Sequence, residues 1–120
     1  MIRFGEKGRY RFLIESYGVE GYGAHTHKTV NAIDILIEAI SRYKSASEKL
    51  VSTCPRIVTD HILKAKDISE PISGIGETHT LLNITHNVGI IKGGYAPNLL
   101  PGYACATIDS RLPQKLLRMF

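Results

Sequence analysis

The densest grouping of chemically competent side chains in the chain is His25-Thr26-His27. On an extended backbone a His-x-His spacing turns both imidazoles to one face, which suits zinc, but a zinc site needs a third protein ligand from elsewhere. Glu77 and His79 are chemically able to join the pair, yet nothing in their spacing compels it, so no metal ligand set is expected within this chain. His61 and His86 read as polar-face or half-buried structural histidines. Asp109 and Arg111 lie two apart on one strand and point the same way; by default they form a surface pair that contributes little. Gly93-Gly94 has neither the GxGxxG nor the P-loop spacing and reads as a turn, not as a phosphate cradle. Cys54 and Cys105 lack metal-ligand spacing and are too few for a disulfide scaffold, so free thiols and a cytoplasmic location are expected. No nucleophile with its base and no carboxylate pair completes a hydrolytic site in this chain.

The elements that must position these groups follow from hydrophobic periodicity. In residues 9–17, Tyr10, Phe12 and Ile14 recur at every second position, which predicts a strand with one buried face. Residues 18–23 hold three glycines and read as a loop or a bulged strand end. From 28 to 42 the period changes: Val30, Ile33, Leu36, Ile37 and Ile40 fall on one stripe of an amphipathic helix, with Thr26 or Thr29 as its N-cap. The segment 44–78 is a long connection holding a short helix near 56–66 and a loop at 69–76. Alternation returns over 79–92, predicting a long half-exposed strand, followed by turns through Gly93, Gly94 and Pro101. A last strand runs over 103–112 with Ala104, Ala106 and Ile108 on its core face, and 113–120 looks like the first turns of a helix begun by Pro113.

Strand, helix, strand, strand and the start of a helix predict an α+β fold. We expect an antiparallel sheet with helices on one face, of the ferredoxin-like β-α-β-β-(α-β) pattern, cut off after the third strand and therefore a fragment. With 120 residues, 43% of them apolar and 22% charged, the chain holds one soluble domain over 1–120. No apolar run approaches the roughly 18 residues of a membrane span, and residues 1–7 have no apolar stretch of a secretory signal. The net charge of +4 is spread among acidic neighbours, and Tyr103 alone is a poor stacking platform, so no nucleic-acid partner is expected.

Four blocks also carry a resemblance. Gly5-Glu6-Lys7-Gly8 precedes a strand; Gly23-Ala24-His25-Thr26 leads into Val30-Asn31-Ala32-Ile33; then come Gly93-Gly94-x-x-x-Asn98-x-x-Pro101 and Asp109-x-Arg111. In this order they resemble the lid or dimerisation domain of the dinuclear-zinc peptidase and deacylase superfamily. That superfamily includes acetylornithine deacetylase, succinyl-diaminopimelate desuccinylase, aminoacylase and related carboxypeptidases. The resemblance implies a domain inserted into a larger one that holds the zinc ions, with no cofactor in this chain. It assigns His25 to the lid histidine that reaches the partner's active site and donates a hydrogen bond to the developing oxyanion. Asn98 matches the substrate-contacting asparagine of an Asn-x-x-Pro turn, and Arg111 an arginine that clamps a substrate carboxylate.

The function expected is therefore dimerisation and substrate capping in a zinc-dependent metallopeptidase or amidohydrolase, with a peptide or N-acyl amino acid as substrate and this chain inactive alone. A homodimer through the edge strand 79–92 and helix 28–42 is expected with it. The alternative is a non-catalytic, self-associating βαββ module.

Overall fold

A computed structural model describes residues 6–50 and 54–113. In chain order the elements are β1 (Gly8–Tyr17), β2 (Gly21–Tyr22), a 3₁₀ helix (Gly23–Lys28), α1 (Ala32–Glu48), α2 (Arg56–Ser73), α3 (Glu77–Leu82), β3 (Thr85–Gly93), β4 (Leu99–Leu100) and β5 (Tyr103–Leu112). The α+β class and antiparallel sheet are as expected. The long strands make a three-stranded sheet in the order β1-β5-β3, and β2 and β4 make a two-stranded ribbon. Insertion of β5 between β1 and β3 is the split arrangement that a ferredoxin-like pattern requires.

By contact density the chain forms two compact units, one of Arg11–Glu48 and Asn87–Asp109, the other of Met1–Tyr10, Lys49–His86 and Ser110–Phe120. The first holds the hydrophobic core. Period-two alternation places Ala104, Ala106 and Ile108 on one face of β5, and all three are fully buried. Against the two alanines lie Ala32 and Leu36 of α1, with Ile14, Ile33, Ile40 and Val88 around them. Small residues on both sides bring the helix close to the sheet. Ser16 reinforces this contact: its buried hydroxyl donates to the Ala32 carbonyl at 2.7 Å, with the Ala104 carbonyl at 3.2 Å.

Three element boundaries differ from the periodicity. The helix expected over 28–42 begins at Ala32 and runs to Glu48. Its cap is Asn31, whose Oδ1 accepts from the Ile33 and Asp34 amides at 2.8 and 3.3 Å, while the Thr29 hydroxyl turns away to the Val19 carbonyl. Past residue 42 the serines do not dilute the helix, because the Ser47 hydroxyl donates back to the Lys44 carbonyl at 2.8 Å. Residues 69–73, expected in a loop, belong to α2. Pro71 is tolerated because it lies in the last turn, where few later amides depend on it, and the Gly74 amide caps the end by donating to the Glu70 carbonyl at 2.8 Å.

The strand expected over 79–92 starts only at Thr85, and residues 79–82 belong to α3. What closes α3 is remote in sequence. The Lys7 ammonium donates to the Thr80 carbonyl at 2.7 Å, to the Asn83 carbonyl and to Thr85 Oγ1 at 3.3 Å. A cation on the carbonyl end of a helix satisfies groups that the helix itself leaves open. The helix expected from Pro113 onward falls on 114–120, outside the described residues.

The second unit contains a pH-sensitive group. Nδ1 of His86 lies 3.0 Å from Ser110 Oγ, and burial, then the nearby Lys7 charge, hold the imidazole below the usual histidine range. The folded state thus prefers the neutral ring and the unfolded chain takes up the proton more readily. The stabilisation is complete above the ordinary value of 6.5 and is lost as pH falls through the lower folded value. The thermal midpoint is expected to drop between about pH 7.5 and about pH 5.5, and His86→Gln is expected to flatten that dependence. An equal slope in the variant would assign the effect to another group.

Candidate functional site

The predicted site residues around His25 are assembled by backbone hydrogen bonds. Gly21 pairs with Leu100 and Tyr22 with Leu99 in the antiparallel β2–β4 ribbon. The next amide, of Gly23, donates to the Asn98 carbonyl at 2.8 Å. A side chain at Gly23 would put its Cβ 3.0 Å from that same carbonyl oxygen, so the close approach favours glycine. At the neck of the loop the Val19 amide donates to Val30 at 3.0 Å and the Thr29 hydroxyl donates to Val19. Gly18 to Gly102 at 2.9 Å and Ala32 to Pro101 at 3.0 Å complete the attachment. A loop closed at its neck and tied to residues 98–102 by these five pairings presents its tip in a fixed place.

His25 sits at that tip, in the 3₁₀ helix, at a kink where its backbone (φ −111°, ψ 45°) leaves the helical values. Its side chain is exposed, not packed in the hydrophobic interior. Two rings touch it. The Tyr22 ring lies 5.7 Å away, centroid to centroid, at 61°, and the His27 ring 5.9 Å away at 79°. His25 and His27 thus share a turn, not the face of a strand.

Asn98 is exposed, with its carbonyl engaged by Gly23. The structure therefore brings His25 and Asn98 to one ribbon end. The turn residues hold the ribbon in place. Gly93 ends β3 with no room for a side chain, since a Cβ would lie 2.8 Å from that of Ala104. Gly94 has φ +79°, which favours glycine, and buried Pro101 presents its carbonyl to the first amide of α1. Beside the ribbon is a pocket of about 250 Å³ lined by Glu20, Gly21, Tyr95, Leu99, Leu100 and Pro101.

Arg111 belongs to the other unit, near the end of β5, and is exposed. Its neighbour there is Lys7, whose ammonium is held below the usual lysine range, first by burial and then by the Arg111 charge. Asp109 pairs with Arg11, with both Arg11 Nε and Nη2 at 3.4 Å from Oδ1.

Among the described residues no group of three or more His, Cys, Asp or Glu side chains is placed to hold a metal ion. Sequence reasoning missed the ring contacts of Tyr22 and His27. No spacing rule signals either contact, because Tyr22 is extended and the His25 backbone leaves the helical values.

Comparison with curated proteins gives no match. Among solved structures, aminopeptidase PepT of Bacillus cereus is 17% identical with a TM-score of 0.52, over 96% of this chain and 25% of that one. A tripeptidase of Staphylococcus aureus is 17% identical with a TM-score of 0.49, over 92% of this chain and 22% of that one. An aminobenzoyl-glutamate utilization protein of Klebsiella pneumoniae is 16% identical with a TM-score of 0.49, over 95% and 22%. The chain thus spans a quarter or less of the length of these structures, and at such identity the Bacillus likeness shows the fold alone. The family assignment comes from the sequence itself: residues 4–118, nearly the entire chain, match the profile of the peptidase dimerisation domain, and the protein belongs to that family.

Proposed function

We propose that this dimerisation domain also caps substrate in a zinc-dependent peptidase or amidohydrolase that cleaves an amide bond in a carboxylate-bearing substrate, a peptide or an N-acyl amino acid. The observation that supports the reading is the anchoring of the exposed His25 loop onto the segment bearing Asn98 through the Gly23–Asn98 bond of 2.8 Å. An imidazole N–H held ready at a fixed site stabilises an oxyanion more than the carbonyl it forms from, because the charge it meets appears only in the transition state. The Asn98 carboxamide contacts the bound substrate, and Arg111, beside the Lys7 cation, receives the carboxylate. The zinc such a hydrolase requires belongs outside this chain. Free thiols at Cys54 and Cys105 accord with a cytoplasmic setting, and among the described residues no helix is long and apolar enough to cross a membrane.

In the hydrolase that carries this chain, Asn98→Ala is expected to raise KM roughly tenfold, the cost of one lost polar contact, because truncation leaves the backbone bond to Gly23 in place. An unchanged KM would remove Asn98 from the substrate site.

One observation favours self-association by itself. β3 is an edge of the sheet among the described residues, and Ile90 and Ile91 on it are 52% and 56% exposed. An edge strand with apolar side chains extends a sheet across a two-fold axis, and α1 is the helix expected to accompany it in a homodimer. Sedimentation of the chain at micromolar concentration is expected to show a dimer; a strict monomer would leave the capping role to stand alone.

A further inference from the structure

We infer that Tyr22 and His27 are positioning residues that aim the His25 imidazole by ring contact, a role that rests on the reading of His25 as an oxyanion donor. An exposed histidine with two free side-chain torsions spreads over several rotamers, and a donor that must be found at the moment of reaction contributes less than one already aimed. The ring geometries supply the missing restraint. At 5.7 and 5.9 Å, with interplanar angles of 61° and 79°, both neighbours meet His25 in the edge-to-face range, where the positive edge of one ring faces the negative face of another.

The two contacts differ in what holds them. Tyr22 is anchored outside the turn, since its backbone pairs with Leu99 across the β2–β4 ribbon. Its ring therefore approaches His25 from outside the turn, at a centroid distance of 5.7 Å. His27 lies two residues on in the same 3₁₀ segment, past the kink at His25. Tyr22 therefore sets the direction, and His27 restricts the rotation that remains. The chemistry required at both positions is a flat ring, not a hydroxyl or a proton, so phenylalanine is expected to serve at 22 and an aliphatic side chain is not.

The test has two arms. In the chain itself, the His25 ring-proton resonances are expected to shift in Tyr22→Leu and to stay in Tyr22→Phe, because a neighbouring aromatic ring displaces them and an isobutyl group does not. The Gly23 amide resonance reports whether the ribbon survives; should Tyr22→Leu disturb it, His27→Ala supplies the same measurement without touching β2. His25 resonances that ignore the removal of either ring overturn the contact. In the hydrolase that carries this chain, Tyr22→Leu is expected to lower kcat about five- to tenfold with KM within about twofold, and Tyr22→Phe to restore it. Turnover that is lost in His25→Ala but untouched in Tyr22→Leu and His27→Ala overturns the positioning role and leaves the capping reading intact. Turnover untouched in His25→Ala removes the capping reading and this role with it, while the resonance shifts still decide whether the rings restrain His25.

Discussion

His25→Ala, made in the hydrolase proposed to carry this chain, is expected to lower kcat about 10²- to 10³-fold while KM changes by less than about threefold. The asymmetry follows from where the hydrogen bond forms. A neutral carbonyl oxygen draws little from an imidazole N–H, whereas an oxyanion in a water-excluded site draws several kcal/mol, so removal of the donor penalises the transition state and spares the ground state. The fold bears on this result through the loop attachment. Alanine at 25 leaves the bonds from Gly18, Val19, Gly23 and Ala32 in place, so loss of turnover reports the imidazole and not a displaced loop. Equal falls in kcat for His25→Ala and His25→Gln would point to the ring's shape, while partial rescue by glutamine would point to its N–H. Turnover unchanged in both would end the assignment.

Gly18→Ala is expected to destabilise the chain by about 3 kcal/mol or more, measured by urea unfolding. A Cβ at this position would lie 2.1 Å from the Val30 carbonyl oxygen and 2.8 Å from the Ala32 amide nitrogen. Both are backbone atoms, and a backbone cannot rotate out of the way as a side-chain tip does. Relief requires that residues 30–32 separate from residue 18, which breaks the 3.0 Å bond from Val19 to Val30 and pulls on the one from Ala32 to Pro101. The neck of the His25 loop and the start of α1 are thus expected to fail together. Gly89→Ala is the matched control. Its Cβ would meet only the Asn87 side-chain amide at 3.4 Å, so a change below about 1 kcal/mol is expected. Comparable losses in the two variants would show that the contact at Gly18 is relaxed cheaply.

How the sequence compares with the fold depends on the range of the interaction concerned. Alternation over β5 identified Ala104, Ala106 and Ile108 as the buried face, and the apolar stripe of α1 identified Leu36, because one residue's neighbours along a strand or helix are fixed by local geometry. Alternation failed at 79–82 for the same local reason: a short apolar stretch satisfies either period, and the decision for helix came with Lys7, more than seventy residues away. The start of α1 was displaced by a similar choice, since Thr29 found a carbonyl at Val19 and left Asn31 to cap.

The site divides in the same way. By itself the sequence determined the family, the strand-helix-strand-strand order and the candidates His25, Asn98 and Arg111, since glycine blocks, turn motifs and periodicity are properties of neighbours along the chain. Only the tertiary structure decided that His25 and Asn98 share a ribbon end, that Arg111 keeps company with Lys7, that Asp109 pairs with Arg11, and that Tyr22 and His27 touch the His25 ring. Those outcomes depend on hydrogen bonds and ring contacts whose partners are chosen after the strands pair and the turns close, and no spacing of residue types encodes that choice.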